Sequence, residues 1–237
     1  MSRYGAGFIS GLSGGNDQFT KFLLHCDGAN GGTSFPDAAI GGAPRVWTNN
    51  GAVTTTFSPK FGTASFQSTG AGYLTIADHP DFTLGSNDFT LDFWIWAVSA
   101  GAGLQSKNLM GQVDSAASIA SSSIALFTNA ASRLQFTASV GGTAYTVTST
   151  TQLNQSAWIA VECCREGGNL KLRINGVQEG GNVAISGAVN DSANNWSIGR
   201  AGERAGFVPT CFLDEIRLSV GIARHTANYT PETAAYF

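Results

Sequence analysis

The stretch that decides the fold runs from residue 89 to residue 96 and reads Phe89-Thr90-Leu91-Asp92-Phe93-Trp94-Ile95-Trp96. Large apolar side chains occupy every second position, which is the period of a β-strand with one buried face. We therefore predict that four of these residues face a core: Phe89, Leu91, Phe93 and Ile95. The other face carries Thr90, Asp92, Trp94 and Trp96, and we expect it to be half solvated or covered by loops.

Similar short segments lie on both sides of this stretch. Residues 170–174 alternate apolar and basic side chains, and the Asn175-Gly176 pair that follows is a strong signal for a two-residue hairpin turn. No helix longer than two turns is predicted. The spacing of strands and turns predicts an all-β, antiparallel two-sheet β-sandwich of the jelly-roll type over residues 21–237. Seven further residues are expected on its inner face: Val161, Cys163, Leu170, Leu172, Ile174, Ile216 and Leu218.

The composition agrees with this prediction and excludes several classes of protein. Hydrophobic residues make up 43% of the 237 residues, whereas charged residues make up 12%, about half the usual share. With a net charge of −3, the chain has no basic field to hold nucleic acid or an anionic membrane. No apolar run reaches the roughly 18 residues of a membrane helix. Four cysteines without framework spacing are expected to be buried, reduced thiols: Cys26, Cys163, Cys164 and Cys211.

The first twenty residues differ from the rest of the sequence. They are rich in Gly, Ser and Asn and show no sustained hydrophobic period. We interpret residues 1–20 as an extended N-terminal arm that is disordered or docked on a partner. Its large apolar residues are the predicted partner contacts: Tyr4, Phe8, Ile9 and Leu12. Because the arm lacks the apolar core of a secretion signal, we expect synthesis in a cytoplasm.

Several segments, in their order along the chain, resemble the laminin-G-like (concanavalin-A-like) lectin-glucanase jelly-roll family, of the type found in phage and bacterial surface proteins. One of them is Phe212-Leu213-Asp214-Glu215-Ile216-Arg217-Leu218, which resembles the family's final strand; the order and spacing of the segments make the set specific. The other matching segments are residues 23–28, 60–65, 73–76, 88–95, 158, 170–177 and 222–231. The resemblance covers residues 22–231. It implies the jelly-roll fold, but it does not identify a ligand.

The carboxylates do not form the pattern of a glycosidase. Glycoside hydrolysis needs two carboxylates about 5–5.5 Å or 6.5–9.5 Å apart. Asp214 and Glu215 are adjacent, so they point to opposite faces of a strand, and Asp92 stands alone on its strand. The three histidines lie in different segments and accompany no nucleophile motif: His25, His79 and His225. We therefore expect no catalytic residues and a protein that is not an enzyme, with a glycoside hydrolase as the least favoured hypothesis.

Asp214 is a candidate metal ligand. Alternation along its strand places it on the same face as Phe212, Ile216 and Leu218, where a carboxylate needs a partner. The first and last strands of such jelly rolls commonly lie side by side, which would bring Asp27 near Asp214. Two carboxylates with loop carbonyls suit calcium, and related sandwiches often hold one. The alternative is that Asp214 accepts hydrogen bonds from backbone N–H groups or an arginine.

The tryptophans are candidates for a sugar platform, because sugar rings stack on aromatic faces. Trp158 and Trp196 fit core positions of the family pattern. Trp47 is the predicted ligand-binding residue, because it lies in a loop where its ring can be exposed. The alternative for each tryptophan is a purely structural role.

Together these observations favour a non-enzymatic, virion-associated binding or structural protein, such as a phage decoration, tail or adhesion component. The expected partners are other capsid or tail proteins and a host-surface glycan, with the domain present in many copies or as a homo-oligomer. The expected location is the virion, after synthesis in the host cytoplasm. The alternative is a carbohydrate-binding module of a bacterial surface protein, which requires a secretion route or a longer parent chain.

Overall fold

Two antiparallel β-sheets pack face to face, as the alternating segments predicted. The computed structural model describes residues 15–42, 45–69, 71–97, 104–114, 119–153, 155–202 and 209–237. Short 3-10 helices lie at Pro80–Phe82 and Ile119–Ser121. Within the described residues, no helix is long and apolar enough to cross a membrane. The strands, in chain order, are β1 Thr20–Leu24, β2 Thr48–Asn50, β3 Val53–Thr55, β4 Ser65–Thr69, β5 Tyr73–Ile76, β6 Phe89–Ala97, β7 Asn108–Gln112, β8 Ile124–Thr128, β9 Arg133–Val140, β10 Thr143–Gln152, β11 Ile159–Glu166, β12 Asn169–Ile174, β13 Val177–Ala184, β14 Trp196–Ile198 and β15 Thr210–Val220.

The last strand lies in the middle of its sheet. The first sheet has the order β13-β12-β11-β6-β15-β4-β3, and β1 also pairs with β15. The second sheet has the order β10-β9-β8-β7-β14-β5-β2. We call the face of each sheet that meets the other sheet its inner face, and the opposite face its outer face. The fold-deciding stretch forms β6, between β11 and β15.

The inner faces form one apolar core, and the predicted inner-face residues are confirmed. Each of the eleven is at most 3% exposed: Phe89, Leu91, Phe93, Ile95, Val161, Cys163, Leu170, Leu172, Ile174, Ile216 and Leu218. Aromatic rings join the two sheets. Phe22 of β1 meets Trp196 of β14 edge-on, with ring centroids 5.4 Å apart. Burying such a side chain contributes about 1.5–3 kcal/mol.

The turn prediction and the predicted burial of the cysteines also hold. Asn175 and Gly176 both have positive φ, 50° and 76°, as a type I′ hairpin turn requires. This turn joins β12 to β13. All four cysteines are buried and free of disulfides.

A β-bulge in β15 reverses the face on which Asp214 lies. Leu213 pairs with Ile95 and Asp214 with Trp94, but the register then shifts by one residue before Arg217 pairs with Asp92. Glu215, at the bulge, has a φ of 50°. Because one extra residue inverts the alternation, Asp214 faces outward while Ile216 and Leu218 face the core. The prediction that Asp214 shares their face is therefore wrong.

The outer face of the first sheet is covered by both ends of the described chain. We call residues 221–237 the C-terminal segment. Its Arg224 binds both carboxylate oxygens of Asp17 at 2.8 Å, and its Tyr236 is 5% exposed and packs against Leu23. Residues 15–20 thus lie on the sandwich itself, and the prediction that the arm orders only on another chain is wrong for them. The predicted partner contacts lie outside the described residues: Tyr4, Phe8, Ile9 and Leu12.

Candidate functional site

An open, polar cleft lies on the outer face of the second sheet. It has a volume of about 390 Å³ and involves β5, β14 and the loops beside them. We call it the polar cleft. Its lining combines hydroxyl, amide and guanidinium groups with few apolar side chains: Thr75, Val113, Ala193, Asn194, Asn195, Ser197, Arg200 and Gly202.

Small residues lie side by side on four neighbouring strands of the second sheet, and two of them, Thr75 and Ser197, line the cleft. Ser197 of β14 pairs with Thr75 on one side and with Gly111 of β7 on the other, and Gly111 pairs with Ala125 of β8. We call these four the small-residue row. Trp196 and Ile198 point to the core, so alternation turns Ser197 outward. A Cβ on Gly111 would lie 2.4 Å from the Ile124 carbonyl oxygen, so only glycine fits there.

The loop of residues 192–195 forms one wall of the cleft, and a buried glutamine holds it in place. Gln112, 1% exposed, donates its amide to the carbonyl oxygens of Ser192 and Asn194 at 2.7 and 3.0 Å, and to Asp78 at 2.7 Å. The Asn194 amide in turn donates to the Ser192 hydroxyl at 3.0 Å. These bonds hold the loop in place and leave the exposed Asn195 side chain at the rim.

Arg200 supplies the only charge among the described lining residues. Its guanidinium lies over the Tyr73 ring, 3.8 Å from the centroid, a stacking geometry that orients the group. Its Nε is buried and has no hydrogen-bond acceptor. No carboxylate of the described residues forms a salt bridge with it. The side chain is therefore oriented but has no anionic partner.

These groups are suited to binding and not to hydrolysis. Hydroxyl and amide groups can exchange hydrogen bonds with a polyol, and the Arg200 fork can bind an anion. Glycoside hydrolysis needs a pair of carboxylates, and the described lining contains none.

Buried carboxylates occur instead on the outer face of the first sheet, where arginines neutralise them. Four strands carry a row in register, which we call the charged row: Arg173, Glu162, Asp92 and Arg217. Arg173 lies 2.5 Å from Glu162, and the Nε of Arg217 donates to Asp92 at 3.0 Å. All four are at most 2% exposed. Because each carboxylate already has a cationic partner, the charged row is structural.

The C-terminal segment closes over the charged row. His225 contacts Glu162 at 2.5 Å and stacks on Tyr229 with ring centroids 3.5 Å apart. The Tyr236 ring lies 3.8 Å from the Arg217 guanidinium. A ligand therefore has no open approach to these carboxylates through the described residues.

The two predicted calcium ligands both face the loop of residues 60–64, and each accepts hydrogen bonds from its backbone N–H groups. Asp214 accepts hydrogen bonds from the N–H groups of Lys60 at 2.9 Å, Phe61 at 3.2 Å and Glu215 at 2.9 Å. The exposed Asp27 accepts from Thr63 and Ala64. Burial raises the pKa of the Asp214 carboxyl to about 8.

No cluster of three or more His, Cys, Asp or Glu in the described part of the chain could hold a metal. Calcium at Asp27 and Asp214 stays a prediction, which melting with and without a chelator checks.

Trp47 is less exposed than the sequence predicted. It is 8% exposed, and its ring meets Phe22 edge-on at 5.3 Å. The expectation of an exposed ring is wrong, because the loop folds back onto the core. Trp47 does line a second open cleft of about 420 Å³, beside Pro36 and Arg45. Its role in ligand binding stays a prediction.

Sequence reasoning missed every polar group of the polar cleft. Alternation alone indicates that Tyr73 and Thr75 share one face of a strand and that Ser197 opposes Trp196 and Ile198. It does not indicate that β5 and β14 are neighbours, since they are far apart in the chain. Arg200 follows β14 outside any strand and carried no pattern at all.

Comparisons with known proteins agree with the architecture. A family model described as the concanavalin A-like lectin/glucanases superfamily matches residues 68–219. A search of curated protein sequences finds no significant match.

Among solved structures, the binding domain of Paraclostridial Mosquitocidal Protein 1 has a TM-score of 0.65 at 12% identity, over 86% of this chain and 50% of that one. A structure described as "Cell entry of botulinum neurotoxin type C is dependent upon interaction with two ganglioside molecules" has a TM-score of 0.64 at 12% identity, over 86% and 49%. The binding domain of botulinum neurotoxin DC in complex with SialylT has a TM-score of 0.62 at 11% identity, over 87% and 49%. The chain thus spans about half the length of these structures, and at this identity the similarity shows the fold alone.

Proposed function

The chain belongs to the concanavalin A-like lectin/glucanases superfamily, and we propose that it is a non-enzymatic domain that binds glycans in its polar cleft. The observation that carries the proposal is the open cleft of about 390 Å³ on the outer face of the second sheet, lined by hydroxyl, amide and guanidinium groups. A binding site for a small polar molecule is concave and offers a few fixed polar groups. The polar cleft meets both conditions.

Its shape and chemistry favour a sugar over an apolar ligand. The small side chains of Thr75 and Ser197 leave space in the cleft for a ring, while Asn195 supplies a polar group at its edge. The loop of residues 192–195 is held by Gln112, so little ordering is needed on binding. Structural neighbours described with ganglioside and SialylT ligands support a glycan as the partner class.

The absence of catalysis is part of the proposal. The described lining of the polar cleft lacks the carboxylate pair that glycoside hydrolysis needs. The buried Asp92 and Glu162 are engaged by arginines beneath the C-terminal segment. Incubation of the purified domain with any glycan it binds, followed by analysis for released sugars, checks this part.

A glycan array with a steric variant tests the binding role. Ala193 is exposed at the cleft, so Ala193→Trp should fill the cleft without disturbing the core. The matched control is Ala144→Trp, on an exposed position of β10 in the same sheet. We expect wild type and control to bind the same glycans and Ala193→Trp to lose that binding. Equal binding by Ala193→Trp would place any glycan site elsewhere.

We further propose that the domain works as a component of a virion, as a phage decoration, tail or adhesion protein. The support is the sequence resemblance of residues 212–218 and 222–231 to phage and bacterial members of the family. The alternative setting is a bacterial surface protein in which the domain is a carbohydrate-binding module. Mass spectrometry of purified particles separates the two settings, since only the virion component co-purifies in fixed copy number.

A further inference from the structure

Arg200 differs from the other partly or fully buried arginines of the described chain, because each of those has a hydrogen-bond acceptor among the described residues, and Arg165 donates to the Gly85 carbonyl oxygen at 3.0 Å. Each of four others meets a carboxylate: Arg45 meets Asp81, Arg173 meets Glu162, Arg217 meets Asp92, and Arg224 meets Asp17. Arg200 is half-buried and stacks on Tyr73, yet no described carboxylate pairs with it. Resting on the proposed glycan-binding function, we propose that the polar cleft recognises the carboxylate of an acidic sugar and that Arg200 is the residue that binds it.

The stacking on Tyr73 prepares Arg200 for this role. A ring against one flat face of a guanidinium restricts its rotation and leaves the N–H groups at its edge directed sideways. That edge is the fork that binds a carboxylate through two parallel hydrogen bonds. The ring thus fixes the plane in which a ligand carboxylate should lie. Little side-chain entropy then remains to be lost on binding.

The surroundings of Arg200 favour an anion as well. The described lining of the polar cleft contains no acidic side chain, so none of these residues repels a carboxylate. The Nε of Arg200 is buried without an acceptor, and an unsatisfied buried donor is costly. A ligand carboxylate would pair with the charge of Arg200, whereas a neutral sugar would leave it unpaired.

The rest of the sugar has room beside the arginine. The small side chains of Thr75 and Ser197 line the cleft beside it. Asn195 offers an amide that no described residue engages. An acidic sugar can therefore place its carboxylate on Arg200 and its ring over Thr75 and Ser197. This arrangement gives selectivity for acidic over neutral sugars, because the site holds a charge that only one class satisfies.

Isothermal titration calorimetry with matched probes tests the proposal. The probes are sialyllactose against lactose, and trigalacturonate against its methyl ester, so that each pair differs in the carboxylate charge. The proteins are wild type, Arg200→Gln, and Arg133→Gln as a matched control on an exposed arginine at the start of β9 in the same sheet. We expect one acidic probe to bind at least about tenfold tighter than its neutral partner. Arg200→Gln should abolish that difference, and Arg133→Gln should keep it.

Each result is decisive. Binding of sialyllactose alone identifies a sialic acid as the ligand source, and binding of trigalacturonate alone identifies a uronic acid. If a neutral probe binds as tightly as its acidic partner and Arg200→Gln changes neither, the acidic specificity is overturned while the glycan-binding function survives. If none of the four probes binds, the acidic specificity is likewise overturned, and the array with Ala193→Trp then decides whether glycan binding itself fails. Weaker binding of the acidic probe at high ionic strength is a further expected sign.

Discussion

The two outer faces of the sandwich carry rows of opposite character. In the first sheet the charged row holds two carboxylates and two arginines in direct contact, all buried beneath the C-terminal segment. In the second sheet the small-residue row has no charge, and the nearby Arg200 has no acidic partner. A buried charge is tolerated only when paired, so the groups of the charged row are already used within the fold. The polar groups of the polar cleft are not used in this way, and they remain open to a ligand.

The largest expected effect comes from breaking the charged row. Arg217→Met leaves the Asp92 carboxylate buried without its cation. Removing one partner of a buried pair typically costs about 3–5 kcal/mol. We therefore expect the free energy of unfolding, measured by urea denaturation at neutral pH, to fall by about that amount.

A double variant shows whether the stability lost in Arg217→Met comes from the unpaired Asp92 charge or from lost side-chain packing. Asp92→Leu combined with Arg217→Met removes both charges, and at least about half of the stability should return. A loss of less than about 1 kcal/mol in the single variant would contradict the burial of this face, since only exposed pairs contribute so little.

The second effect is a pH dependence at Asp214, also on the covered face. Burial raises the pKa of this carboxyl to about 8, above its value in the unfolded chain. Its contribution to stability is therefore complete below the unfolded pKa and is lost as the pH rises through about 8. Relative to Asp214→Asn, wild type should lose about 2–3 kcal/mol between about pH 5 and pH 7.

Calcium changes this outcome if Asp27 and Asp214 hold it. A bound cation favours the ionised carboxyl, so added calcium should flatten the pH dependence and raise the melting temperature. The control is the same series in the presence of a chelator. A wild type and an Asp214→Asn variant whose stabilities run parallel at every pH would refute the raised pKa.

A smaller effect is expected at His25. Its imidazole contacts the buried Glu215 at 2.8 Å, and this hydrogen bond raises its pKa. The stabilisation is therefore present below about pH 6.5 and is lost as the pH rises through the folded pKa. The side chain is 29% exposed, so His25→Gln should cost less than about 1 kcal/mol at acidic pH and less still at alkaline pH. Thermal melts at both pH values measure this; an equal loss at both would disprove the linkage.

The smallest effect on stability is expected at Arg200. Because it pairs with no described carboxylate, Arg200→Gln should change the free energy of unfolding by no more than about 0.5 kcal/mol. Urea denaturation beside Arg217→Met makes the comparison direct, since both variants remove one arginine from an outer face. A cost comparable to that of Arg217→Met would mean that Arg200 serves the fold instead of a ligand.

The sequence predicted local structure well and spatial neighbours poorly. Alternation placed the inner-face residues of β6, β11 and β12 correctly, because period-2 burial is a local property. Alternation did not indicate that the basic residue Arg173 is fully buried. The C-terminal segment that covers it lies far along the chain, and a local pattern does not show which distant segment packs on a strand. The polar cleft was missed for the same reason, since it depends on β5, β7 and β14 meeting.

The error at Asp214 has a different cause. Alternation across residues 212–218 assumes an unbroken strand, and the bulge at Glu215 inserts one residue. A left-handed glutamate has no sequence signature comparable to Asn-Gly. The change of neighbour from β4 to β1 along β15 explains where the bulge falls, and that change is visible only in the folded sheet.

The central position of β15 has a consequence for how the chain is made. Its partners β1, β4 and β6 begin at residues 20, 65 and 89, whereas β15 begins at residue 210. On the ribosome these three strands emerge long before the strand that joins them, so the first sheet cannot be assembled step by step during translation. Such non-local pairing slows folding and leaves strand edges open to other chains. A nascent chain that stops short of residue 210 therefore holds most of the core residues but lacks the strand that completes their sheet, and it is a natural client for a chaperone.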